Sequence, residues 1–323
     1  MLIENGGEMS LARPTALRKG DKIGITAPSM HIIDGEAVLR GIETLEESGF
    51  RVEVGATVRS KYRNTTATAE ERAKEIMALF EDTEIRAIVC LIGGDTAPQL
   101  LRLLDYDVIG KNPKVFTGMS DICHLHLAFL SKANMISLHG IDLTFGFGGN
   151  KDDPVTRYNI DLFMKCCTQK EPLGTLPAWT QWECWRAGQA QGRLVGGYLA
   201  AVTGLYQTQY WPAFDKTILF WEAIGMQPSI IEKQLTILEA DGFFDNVTGM
   251  VIGKLVDCEE IDYKGLIPDL KEIVLEITTR HNFPIIANAD FGHDQTNMPM
   301  PEGLLARMDA EKLLLELIEP MVR

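Results

Sequence analysis

Ile85-Arg-Ala-Ile-Val-Cys-Leu-Ile92 runs straight into Gly93-Gly94. One charge in eight positions leaves both faces of this stretch apolar. A run this short, bounded by a glycine turn, reads as a strand buried on both sides, the kind found in parallel sheets covered by helices. The flanking sequence agrees. Upstream, 68–80 has helical spacing, with Glu70 and Glu71 in the first turn where the helix dipole favours negative charge. Before it lie a strand at 51–55 and a helix that Asp34 can cap and Gly49 can stop, with Val38, Leu39, Ile42 and Leu45 on one face. A strand at 23–27 opens the series. Downstream the spacing predicts a helix over 97–104, a strand at 114–117, a helix over 121–130, a strand at 135–138 and a helix over 154–167. This alternation implies an α/β fold with a mostly parallel sheet.

The rhythm breaks at 170–188, where Pro172, Gly174 and Pro177 accompany Trp179, Trp182 and Trp185, three of the chain's 5 tryptophans. We read 170–189 as a linker or lid between an N-terminal domain (1–169) and a smaller C-terminal α/β domain (190–323). The competing reading is an apolar plug between domains. In the second half, strands are expected at 191–195, 217–221, 247–256 and 284–287. Helices are expected over 198–206, 229–238, 266–280 and, terminally, 310–317.

Composition narrows the function. The 323 residues carry 31 Lys+Arg against 45 Asp+Glu, a formal net charge of -14. Such a balance argues against nucleic acid or an anionic membrane as the main partner. No apolar run is long enough to span a bilayer, and 1–18 lacks a basic region followed by an apolar stretch. The first ten residues read as a disordered leader, and the expected location is the cytoplasm. None of the 6 cysteines sits in a C-x-x-C pair, which disfavours a zinc ribbon or a redox centre.

Three polar residues fall just past expected strands, the edge where open α/β sheets bind ligands. Ser120, in Thr117-Gly-Met-Ser-Asp121, occupies a tight strand-to-helix turn that can expose its hydroxyl, while the N–H of Asp121 can stabilise an oxyanion. Read blandly, Ser120-Asp121 is a helix cap. Glu222 follows the apolar Ile218-Leu-Phe-Trp221. His293 ends Asn288-Ala-Asp-Phe-Gly-His293 in a loop before Pro299 and Pro301. Each of these two alone reads as a strand-end or surface residue. Together the three supply nucleophile, orienting carboxylate and base, split between the half-chains as for a site at a domain interface. Gly93-Gly94 allows close backbone approach and could add an oxyanion or substrate contact. His124 and His126, two apart on a helix, point to different faces and do not form a metal pair.

With these motifs in order, the chain resembles the LD-carboxypeptidase family of serine peptidases, which includes microcin-C immunity peptidases. The matching residues are Leu17-Arg-Lys-Gly-Asp21, Ala27-Pro-Ser29, Glu70-Glu-Arg-Ala73, Gly93-Gly94, Gln99-Leu-Leu101, Leu104-Asp-Tyr-Asp107 and Gly118-Met-Ser-Asp121. They continue with His139-Gly140, Gly196-Gly197, Leu219-Phe-Trp-Glu222 and Asp290-Phe-Gly-His293. The resemblance implies a glutamine-amidotransferase-like N-terminal domain, a Ser120–Glu222–His293 triad, an oxyanion hole from the N–H groups of Gly94 and Asp121, no metal or cofactor, and a homodimer. Met119, Tyr198 and Ala97 depart from the family pattern and bear on substrate fit.

The activity this implies is hydrolysis of an amide in a small peptide conjugate. Two substrates fit: a peptidyl or aminoacyl nucleotide, and a murein tetrapeptide ending in D-alanine. The tryptophans favour the first, since a nucleobase stacks on an aromatic face; with Gly93 they are the expected substrate contacts. Arg63, Arg72 and Arg186 are candidate clamps for a terminal carboxylate. A two-domain protein that binds a ligand without turnover is the reading from another class.

Overall fold

The computed structural model describes residues 11–259 and 269–323. The leader and the start of the helix expected over 266–280 lie outside the described residues. Strand and helix alternate through the first half: β1 (Lys22–Thr26), α1 (Gly35–Glu47), β2 (Arg51–Val54), α2 (Ala69–Glu81), β3 (Ile85–Cys90), α3 (Tyr106–Lys111), β4 (Val115–Gly118), α4 (Cys123–Ala133), β5 (Ser137–His139) and α5 (Pro154–Thr168). The expected signals act locally. The Asp34 carboxylate accepts the Ala37 N–H at the start of α1, and Thr68 forms a capping box with Glu71 at the start of α2. Only 97–100 of the helix expected over 97–104 forms, as a 3-10 turn.

The second half contains β6 (Gly174–Thr175), β7 (Glu183–Arg186), β8 (Gln189–Tyr198), α6 (Leu199–Leu205), β9 (Thr217–Ile224), α7 (Pro228–Ala240), β10 (Val247–Val256), α8 (Leu270–Ile277), β11 (Ile285–Ala287), β12 (Met300–Glu302), β13 (Leu305–Asp309) and β14 (Leu314–Leu317). Two sheets result, ordered β12-β5-β4-β3-β1-β2 and β6-β14-β13-β8-β9-β10-β11-β7. The first is parallel apart from β12, which lies antiparallel to β5. In the second, β8, β9, β10 and β11 are parallel, and the strands outside them antiparallel.

Three expectations change here. Residues 310–317 are not a terminal helix but a turn and β14, hairpinned onto β13. Leu315 and Leu317 are buried while Leu314 is exposed, a two-residue period that a short apolar run hides among helical possibilities. Residues 170–189 are built into the second sheet, β6 at one edge and β7 at the other. The chain also crosses back, since β12 joins the first sheet after 300 residues. β8 packs on β12 through this crossing and reaches the turn that carries Ser120.

Candidate active site

The Ser120 side is made of backbone. β4 ends at Gly118, Met119 stays extended, and Ser120 turns to φ +61°, left-handed backbone that a non-glycine residue rarely adopts. A 3-10 turn then leads into α4. Gly93 makes room: a Cβ there would stand 2.5 Å from Ser120 Cβ and 3.1 Å from Ser120 Oγ. At Gly94, φ is +154° and a Cβ would stand 2.6 Å from Ser29 Oγ. Asp121 is buried, its Oδ2 accepting the Ser29 hydroxyl at 2.6 Å and the Ala97 N–H at 3.0 Å. Burial raises the Asp121 pKa, opposed by Ser29, Ala97 and, more weakly, the Gly94 N–H.

The His293 side is made of side chains. Glu222 is not past its strand but inside β9, fully buried, facing Tyr198 in the register with β8. Its Oε2 lies 2.7 Å from His293 Nδ1. With Nδ1–H donating to the carboxylate, Nε2 is left as the acceptor. Gly292, at φ +121°, lets the loop press onto Glu222: a Cβ there would be 3.0 Å from Glu222 Cβ. The Tyr198 ring meets the imidazole edge-on, centroids 5.5 Å apart.

The two sides face one cavity of about 410 Å³, lined by Met119, the residue before Ser120, and by His293. Structure thus brings Glu222 onto His293 and Gly93 onto Ser120. Met119, next to Ser120, shares the cavity wall with His293, and among the described residues Ser120 and His293 make no direct hydrogen bond.

The tryptophans part company. Trp182 is 2% exposed and its indole N–H donates to Asp290 Oδ2 at 2.8 Å, so it is core and offers no face for stacking. Trp185 is half-buried, bonded to Glu183 and packed on the second domain's core. Only Trp179, 44% exposed, presents a free ring, beside Tyr158 at 5.2 Å. Asp290, to which the sequence motif assigned no separate role, anchors the segment. It accepts the N–H groups of Trp179 and Thr180, the Thr180 hydroxyl and the Trp182 indole, with Lys254 Nζ at 3.4 Å. Burial is the largest influence on the Asp290 pKa and would raise it, but these donors together outweigh burial and lower it.

Of the clamp candidates, Arg72 is buried and spent on Pro28, Ala67, Thr96 and Gln99. Arg186 is spent on Thr278 and Phe283. Arg63 is bonded to no group among the described residues and lies over the Tyr62 ring. His126, inside the fold, bonds Ser137 and the Gly118 carbonyl; burial first of all lowers its pKa to about 4, so it supports the Ser120 turn as a neutral ring. Sequence reasoning missed the π-helical turn Leu143–Phe147, whose Phe145 lines the same cavity. Its one signal was an N-capping Asp142 before a glycine-rich aromatic stretch. Among the described residues no group of three His, Cys, Asp or Glu is placed to hold a metal, and no helix is long and apolar enough to cross a membrane.

Residues 23–140 match the model of the LD-carboxypeptidase N-terminal domain, and 191–308 that of the LD-carboxypeptidase C-terminal domain. The chain is 27% identical over 303 residues to a probable murein peptide carboxypeptidase of Bacillus subtilis (strain 168), covering 93% of this chain and 92% of that one. It is 27% identical over 339 residues to the microcin C7 self-immunity protein MccF of Escherichia coli, covering 96% of each. A solved structure of MccF in complex with glutamyl sulfamoyl guanosine superposes with a TM-score of 0.88 at 25% identity, over 97% of this chain and 100% of that one.

Proposed function

Because the chain belongs to the LD-carboxypeptidase family, and is with it a serine-type carboxypeptidase, we propose that Ser120, His293 and Glu222 form its triad. The observation that carries this is the buried 2.7 Å Glu222–His293 pair on the cavity that the Ser120 turn also lines. Glu222 fixes the imidazole so that Nε2 takes the Ser120 proton as Oγ attacks the scissile carbonyl. The oxyanion rests on the N–H groups of Asp121 and Gly94. His293 hands its proton to the leaving nitrogen as the C–N bond breaks. Water then gives a proton to His293 and its hydroxyl to the acyl carbon, and Ser120 recovers its hydrogen from the imidazole. No step calls for a cofactor.

For substrate, our reading is a peptidyl or aminoacyl nucleotide, with Trp179 as the stacking face. It is supported by the exposed Trp179 ring, whose backbone N–H donates to Asp290 three residues before His293, and by the likeness to MccF bound to glutamyl sulfamoyl guanosine. The second reading, a murein tetrapeptide, is favoured by the Bacillus subtilis relative. We place the enzyme in the cytoplasm as a homodimer. Incubating the protein with each substrate separates the two readings. Ser120→Ala should abolish turnover in either case, and a variant keeping a hundredth of the wild-type rate would remove Ser120 from the nucleophile role.

A further inference from the structure

The cavity beside His293 has walls that the triad does not explain. Met119, Ile141, Ile224 and Phe145 give it an apolar lining. Among the described residues that line it, Asp294 is the one carboxylate, and none is a lysine or arginine. Of the two asparagines in the wall, Asn159 is spent on structure, while Asn297 keeps a buried Oδ1 with no partner among the described residues. Asn159 donates to the Gln295 carbonyl at 2.7 Å and accepts the Asn297 N–H at 2.8 Å, while the Asn297 amide meets Met119 Sδ at 3.1 Å.

Phe145 is 65% exposed, yet its turn is firmly held. Asp142 caps it by accepting the Phe145 N–H at 2.8 Å, and Thr144 bonds the Leu91 carbonyl at 2.7 Å through its hydroxyl. At Gly146 any Cβ would stand 2.3 Å from Ile141 Cβ, so the turn sits tight against the wall. Single π-helical turns often occur at functional sites. A phenyl ring fixed at the mouth of an apolar cavity, and left in water, gains by covering a ligand's apolar surface.

We propose that this cavity is a side-chain pocket for the substrate residue flanking the scissile amide, selective for an apolar or aromatic side chain, with Phe145 as its specificity-determining lip. The proposal rests on the Ser120 reading for which bond is cut, and names the side chain beside it. A carboxylate placed there would lose water, meet no lysine or arginine among the described residues and face Asp294.

The test measures binding, so that it does not depend on turnover. Calorimetric Kd values would be taken on Ser120→Ala with two probe series: aminoacyl sulfamoyl adenosines and N-acetyl-aminoacyl-D-alanines, each bearing phenylalanyl, leucyl, alanyl or aspartyl. The expected result is tenfold or more tighter binding of phenylalanyl and leucyl than of aspartyl on at least one scaffold. In Ser120→Ala/Phe145→Ala the preference for phenylalanyl over alanyl should shrink to about threefold or less, with the alanyl Kd held within about twofold. Since Phe145 is exposed, the thermal melt should be unchanged. Aspartyl binding as tightly as phenylalanyl would overturn the proposal. So would a preference that survives Phe145→Ala, or failure of every apolar probe to bind at millimolar concentration. Hydrolysis persisting in Ser120→Ala would instead sink the nucleophile assignment, a separate result.

Discussion

The two sides of the site are built by different physics. Around Ser120 the geometry is made by the main chain: a left-handed φ at the serine, and a glycine whose missing Cβ is the space the serine occupies. Around His293 it is made by side chains that meet across 71 positions of sequence, where the imidazole arrives to donate a hydrogen bond to a buried carboxylate. The first kind of geometry resists perturbation by polarity but not by volume. The second has the opposite weakness.

Glu222→Gln attacks the second kind and should have the largest effect. The amide can no longer hold the imidazole in the proton-accepting tautomer, and kcat should fall by about 10³-fold or more. Side-chain volume is kept, so the melt should hardly move. Steady-state kinetics with the melt as control checks this; a loss under tenfold would show that Glu222 does not orient the base. Next in size is the anchor of the Trp-rich segment. Trp182→Ala removes a fully buried indole and leaves Asp290 short of a donor, at a cost of about 3–5 kcal/mol. Trp179→Ala, on a ring already 44% exposed, should cost under about 1 kcal/mol. Urea unfolding of the pair decides it, and equal losses would mean the two rings are equally built in.

The same contrast explains what could be read from the sequence. Gly118-Met-Ser-Asp121 was readable because a strand-to-helix turn is local, and its residue types follow from its own sterics. The strand at Ile85–Cys90 was readable because it lies in an apolar run that ends in a glycine turn. Glu222 was readable as a candidate but misplaced, since β9 continues through it to Ile224 and nothing near it in sequence reveals the partner that permits its burial. Trp182 was misread for the same reason: the acceptor for its indole, Asp290, lies 108 positions away. Leu314 to Leu317 went wrong because four residues carry too little periodicity to choose between helix and strand. The Phe145 turn left almost no trace, because a π-helical turn has no distinct pattern of apolar residues.

Gly93→Ala attacks the first kind. A Cβ would lie 2.5 Å from Ser120 Cβ and 3.0 Å from the Met119 carbonyl, so the nucleophile or its turn must shift. A displacement near 1 Å costs about 10²-fold in rate. Because no titrating group is changed, kcat should fall while the pH at half-maximal rate stays put, unlike a lesion in the imidazole pair. A moved pH profile would show that Gly93 acts through His293 instead of through volume.

The smallest effect isolates Asp142, which caps the Phe145 turn from the first sheet's side. Burial, against backbone donors from Phe145, Gly146 and Thr144 and the nearby His293, lifts its pKa to about 6. Its unfolded value is near 3.8, so between these limits the folded state holds more protons than the unfolded one. The carboxylate therefore weakens the fold above pH 6 and does so less as pH falls toward 4, opposite in sign to the usual acid loss from paired carboxylates. Asp142→Asn keeps the acceptor oxygen and deletes the titration. The stability of the variant relative to wild type should be highest at pH 7 and drop by on the order of 1 kcal/mol at pH 5. Paired urea melts at the two pH values measure this directly. If the variant instead gained on wild type at pH 5, the Asp142 carboxylate would be stabilised by its backbone donors more than it is penalised by burial, and the turn would owe its rigidity to charge.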